Sequence, residues 1–124
     1  MKTKILFLLA FVAISATAFS QDSYYMRKAQ EYMNDAEYYN KKAEGYEREA
    51  AYYNEKARGY LREAEYYTKH NTPDKAKMYS RWADEAFDKA KMQMQWAADA
   101  RDKAQMRMKW AADAMDRAKM EMRR

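Results

Sequence analysis

Tyrosine recurs at an unbroken interval of seven, at Tyr25, Tyr32, Tyr39, Tyr46, Tyr53, Tyr60 and Tyr67, and an alanine stands four residues after each of the first six. Alternating steps of three and four place these side chains on one stripe of a helix that packs against another helix. A second array follows in Ala83, Ala90, Ala97, Ala104, Ala111 and Ala118. Two long helices are therefore predicted, and a sustained seven-residue period winds such helices into a left-handed supercoil.

The break between them is local. His70-Asn71-Thr72-Pro73-Asp74 collects the turn formers. Asn71 suits a left-handed cap, Thr72 an N-cap, Pro73 the first helical position and Asp74 the positive end of the helix dipole. The predicted organisation is a first helical segment over 21–69, a turn over 70–74 and a second helical segment over 75–124, with helix running from about Ser23 to Lys69 and from about Pro73 to Met122. The fold class expected is all-α, a long antiparallel two-helix hairpin.

Both segments also repeat at fourteen. Doubled tyrosines mark the unit in the first, at Tyr24-Tyr25, Tyr38-Tyr39, Tyr52-Tyr53 and Tyr66-Tyr67, and Trp82, Trp96 and Trp110 open it in the second. In heptad letters the first helix carries alanine at a and tyrosine at d. The second carries Phe87, Met94, Met108, Met115 and Met122 at a, with Arg101 the exception, and alanine at d. Because a faces d in an antiparallel pair, partners should have numbers summing to 140: Tyr53 with Phe87, Tyr46 with Met94, Tyr32 with Met108, Ala57 with Ala83 and Ala50 with Ala90. A slip of one heptad, to 147, is the competing register.

Gly45 and Gly59, fourteen apart inside a helix, each cost about 1 kcal/mol relative to alanine. Packing of Trp96 over Gly45 and of Trp82 over Gly59 would account for them. The same geometry sets Tyr38, Tyr52 and Tyr66 opposite Lys103, Lys89 and Lys75, where cation–π contacts are expected. Tyr24, Trp110, Tyr38, Trp96, Tyr52, Trp82 and Tyr66 would then line one flank as an aromatic ridge, and Met92, Met106 and Met120 widen the apolar arc. A stripe of that size marks an interface, so self-association into a four-helix bundle is expected, or a helix swap between two chains with the same contacts.

Composition narrows the function. Lys2 and Lys4 precede an apolar run from Ile5 to Ile14 and the small residues Ala16, Ala18 and Ser20. This is the pattern of an export signal over 1–20, cleaved after Ser20 or after Ala18, and its apolar run is shorter than the roughly 20 residues of a membrane span. The chain is expected to be periplasmic or secreted. No cysteine is present, so disulfides and thiol chemistry are excluded. With Lys2 and Lys4 set aside, 22 basic and 19 acidic side chains remain, too even a balance for nucleic acid as partner. Charges of both signs in every repeat also argue against a membrane-surface helix.

Catalytic and metal chemistry find little footing. His70 stands alone in the turn, Ser23 and Ser80 have no histidine at useful spacing, and no glycine-rich phosphate loop exists. Thioethers beside indoles, as in Met92-Gln93-Met94-Gln95-Trp96, would suit a cuprous ion. Residues two apart on a helix point about 200° from each other, however, so Met92 and Met94 do not chelate together. No enzyme, cofactor or metal is expected. Two readings lead: a structural or assembly protein, with a second copy or other exported proteins as partners, and a holdase-type chaperone or adaptor whose methionines repack around apolar clients. Small all-helical periplasmic chaperones of the Spy/CpxP class look similar in size, basicity and methionine content, although their Leu-Thr-x-x-Gln signature is absent here.

Overall fold

The computed structural model describes residues 24–123. The expected export signal over 1–20 lies outside them. Two helices are present, α1 over Tyr24–Lys69 and α2 over Pro73–Met122, of 46 and 50 residues. They pack against each other as an all-α helical hairpin. Alanine, methionine, lysine, arginine and glutamate, which lose little side-chain freedom in a helix, make up much of the two together, and neither contains valine or isoleucine. The many tyrosines of α1, poorer helix formers, are offset by their packing. Helix α2 begins at Pro73, inside the segment assigned to the turn, because a proline's missing N–H costs nothing in the first helical turn.

The turn is a Schellman motif. Asn71 adopts a left-handed φ of 58°. The Thr72 N–H donates to the Tyr67 carbonyl at 2.9 Å and the Asn71 N–H to the Thr68 carbonyl at 3.4 Å, satisfying the orphan carbonyls at the end of α1. The Thr72 carbonyl accepts the Ala76 N–H at 3.1 Å, so Thr72 is the N-cap residue of α2 by its backbone. Its hydroxyl donates to the His70 carbonyl at 3.2 Å instead of capping a helical N–H. His70 stacks on Tyr66 at 4.1 Å and donates its Nδ1–H to the Tyr66 carbonyl at 2.8 Å.

Two compact units divide the chain, one of residues 24–40 with 101–123 and one of Lys41–Ala100. In each, an alanine seam forms the core. The unit of Lys41–Ala100 buries Ala43, Ala50, Ala57 and Ala64 of α1 with Ala76, Ala83, Ala90 and Ala97 of α2, and Ala43 clusters with Ala97 and Ala100. In the other unit Ala29 and Met26 cluster with Ala114, Met115 and Ala118. Ala43 beside Ala97 matches the register of 140 and excludes 147.

The buried face of α2 departs from the expectation. It is centred on d and g, with Ala86, Ala100 and Ala114 buried at g, and not on a and d. Met94 at a is consequently 50% exposed, Phe87 and Met108 are half-buried, and among the expected large a residues Met115 alone is in the core. Alanine on both sides lets two helix backbones approach closely, which dispersion favours over seating a flexible methionine. On α1 the core extends toward e, where Met26 and Met33 are buried.

Candidate interaction surface

Close approach at the alanine seam leaves each d tyrosine half-buried at its edge, reaching across to position c of α2. Position c alternates between a cation and an indole. In the unit of Lys41–Ala100, Lys75 lies over Tyr67 at 5.1 Å and Lys89 over Tyr53 at 5.6 Å. Between them Trp82 meets Tyr60 edge-on at 5.7 Å, and Trp96 meets Tyr46 in the same manner at 5.7 Å. The unit of residues 24–40 and 101–123 follows the same rule, with Lys103 over Tyr39 at 5.6 Å, Trp110 against Tyr32 at 5.6 Å and Arg117 over Tyr25 at 5.8 Å.

Several sequence-based pairings are corrected by this ladder. Tyr53, Tyr46 and Tyr32 meet Lys89, Trp96 and Trp110 at position c, beside the Phe87, Met94 and Met108 expected from the register. Lys75, Lys89 and Lys103 sit over Tyr67, Tyr53 and Tyr39, one residue beyond Tyr66, Tyr52 and Tyr38. Each shift follows from the rotation of α2 toward g. Nor do the indoles require the glycines. A Cβ built on Gly45 meets nothing within 4 Å, and one on Gly59 meets only the Arg62 Nη2 at 3.8 Å.

All seven expected ridge residues are exposed. Tyr24, Tyr38, Tyr52 and Tyr66 range from 52% to 56%, and Trp82, Trp96 and Trp110 from 39% to 43%. Three of these tyrosines pack edge-on against their seam neighbours, Tyr24 on Tyr25, Tyr52 on Tyr53 and Tyr66 on Tyr67, at 5.1–5.4 Å. Tyr38 does the same on Tyr39 at 5.3 Å. Met92, Met106 and Met120 stand out into solvent, the first two one helical turn before an indole. The flank is thus a chequer of rings and cations with apolar methionine beside it.

Position g of α2 supplies residues the heptad pattern alone passed over. Tyr79 stacks on Tyr67 at 5.5 Å, with planes 5° apart, and also touches Tyr60 and Trp82. Arg107 lies 4.4 Å from the Trp110 ring centre and 5.6 Å from that of Tyr39, and pairs with Asp35 at 3.7 Å. The signal was present in the alternation Tyr79, Ala86, Gln93, Ala100, Arg107, Ala114. Two lysines of α1 are drawn into the chequer as well. Lys28 is pushed above 10.5 by Glu31 and then by Tyr24, and Lys56 above the same value by a hydrogen bond to Tyr52. Both remain charged at neutral pH.

Among the described residues no group of three or more histidine, aspartate or glutamate side chains is placed to hold a metal ion, and no helix is long and apolar enough to cross a membrane. Compared with known proteins, the chain matches no family model, no curated sequence and no solved structure. Its functional interpretation rests on its own residues.

Proposed function

We propose that this is an exported, non-enzymatic coiled-coil protein of structure or assembly, which works by presenting its ring, cation and methionine flank to other molecules, a second copy of the chain being the simplest. One observation supports this above the rest: tyrosines and tryptophans recur every fourteen residues and stay 39–56% exposed although both helices already have a packed seam. Aromatic side chains left in water at that frequency are the usual signature of an interface. Two hairpins meeting on this flank would form a four-helix bundle.

Sedimentation of the purified protein over a hundredfold concentration range, with helicity and hydrophobic-dye binding followed together, tests the reading. A helical dimer or tetramer that binds little dye supports assembly through the flank. A helical monomer that binds no dye at any concentration overturns it. A second reading, a holdase-type chaperone or adaptor, is favoured by the exposed Met92, Met94, Met106, Met120 and Met122, whose flexible thioethers adapt to varied apolar surfaces. Strong dye binding by a monomer, with suppressed aggregation of an unfolding client protein, would select it.

A further inference from the structure

The flank carries a cleft in each unit, built on the same residue plan. In the unit of residues 24–40 and 101–123 it measures about 480 Å³. Tyr25 and Tyr32 of α1 wall it, with Lys28 between them, and α2 closes it with Trp110, Asp113 and Arg117 above a floor at Ala114. In the unit of Lys41–Ala100 a cleft of about 280 Å³ is walled by Tyr53 and Tyr60 with Lys56 between them, and closed by Trp82, Glu85 and Lys89 above Ala86. Tyr24 lines the first as well; each of its other lining residues has a counterpart in the second, with glutamate for aspartate and lysine for arginine.

The cleft is a product of the fourteen-residue repeat. Its floor exists because alanine alternates at g with the larger Tyr79, Gln93 and Arg107. Its cations are held by the doubled tyrosine, one on each ring: Lys28 over Tyr24 at 5.9 Å with Arg117 over Tyr25 at 5.8 Å, and Lys56 over Tyr52 at 5.5 Å with Lys89 over Tyr53 at 5.6 Å. Two long flexible side chains are thereby preorganised at one opening, which lowers the entropic cost of using them.

We infer that these clefts bind sugar acids, hydroxylated rings that carry one carboxylate. Three features select this class. The walls are aromatic side chains with no leucine, valine or methionine among them, which suits the weakly positive C–H face of a sugar ring more than an aliphatic peptide side chain. In the second cleft two cations against one carboxylate leave a single positive charge over, matched to one anionic group through charge-assisted hydrogen bonds. In the first, Lys28 also pairs with Glu31 at 3.5 Å, which makes the second the stronger site for an anion. The carboxylate of Asp113 or Glu85 accepts hydrogen bonds from ring hydroxyls and repels a densely charged phosphodiester. A free sugar acid and a residue within an acidic polysaccharide share this chemistry.

The inference rests on the reading that the flank is presented to other molecules, and the experiment separates the two. Tryptophan fluorescence of the purified protein is titrated with sodium glucuronate, an oligogalacturonate hexamer, maltohexaose and oligothymidylate, with dye binding measured in parallel. The uronates should quench saturably and bind at least tenfold more tightly than neutral maltohexaose. A hexamer tighter per ring than the monomer identifies a polysaccharide as the source, and equal binding per ring identifies the free sugar acid. Ala86→Gln with Ala114→Gln fills both floors with the residue the chain itself carries at Gln93, and should weaken uronate binding at least tenfold with helicity unchanged. Lys56→Met with Lys28→Met should do the same with the floors intact. Equal binding of uronate and maltohexaose, uronate binding indifferent to the glutamine pair, or tighter binding of oligothymidylate would overturn the inference. Absence of uronate binding with retained dye binding, or in a dimer or tetramer that binds little dye, fails the inference alone, whereas a helical monomer that binds neither dye nor uronate fails the presented flank too.

Discussion

Replacing Gly45 and Gly59 by alanine is the sharpest test of how the two helices meet. Both lie inside α1 and neither has a positive φ, so nothing in the backbone demands glycine. The new methyl group at Gly45 would enter open space, and that at Gly59 would touch only the end of a flexible arginine at 3.8 Å. What remains is helix propensity, about 0.8–1.0 kcal/mol per site in favour of alanine, chiefly through the lower entropy of the unfolded chain. The sites are roughly 21 Å apart along a helix at 1.5 Å per residue, far enough for the effects to add. The double variant should therefore gain about 2 kcal/mol, or roughly 4–8 °C in melting temperature for each kcal/mol in a domain of this size. Thermal unfolding followed by circular dichroism at low micromolar protein measures it. A fall in melting temperature for either single variant would mean that an indole does pack over the glycine, and the rotation of α2 toward g would be refuted. Unchanged stability at low concentration with loss of self-association would instead place a second chain against the glycines.

Three further outcomes follow from the same contacts. Gln93→Arg should stabilise by about 1 kcal/mol in urea unfolding, since the Gln93 Oε1 is buried without a partner and Arg107, fourteen residues on, packs its guanidinium over Trp110 and pairs with Asp35; the equivalents at hand are Trp96 and Glu49. Ala43→Leu should destabilise by about 3 kcal/mol, because Ala43 is fully buried against Ala97 and Ala100 and a larger side chain holds the helices apart; a neutral effect on urea unfolding would deny the close alanine seam. Asn71→Gly should be neutral or slightly stabilising and Asn71→Ala should cost about 1 kcal/mol, since φ is 58° there and a Cβ without a local hydrogen-bonding group disfavours it; equal melting temperatures for the two variants would show that the left-handed cap carries no strain.

Much of the fold was legible because it depends on spacing alone. An interval of seven in tyrosine and alanine specifies two helices, Asn71-Thr72-Pro73 specifies where the first stops and the second starts, and alanine meeting alanine specifies the register of 140, as Ala43 beside Ala97 bears out. The exposed aromatic flank was legible too, since residues at c cannot reach a two-helix seam from α1. Spacing along the axis does not, however, set the rotation of a helix about its own axis. In α2 the alanines at d have apolar neighbours on both sides, methionine and phenylalanine at a and alanine at g. Only packing decides between them. The helices come closest with small residues on both sides, so Ala86, Ala100 and Ala114 turn inward and Met94 turns out. That rotation brings position c against the tyrosines, beside the expected position a, and so creates the alternation of cation and indole. It also opens the two clefts above Ala86 and Ala114, which no count of heptads contains.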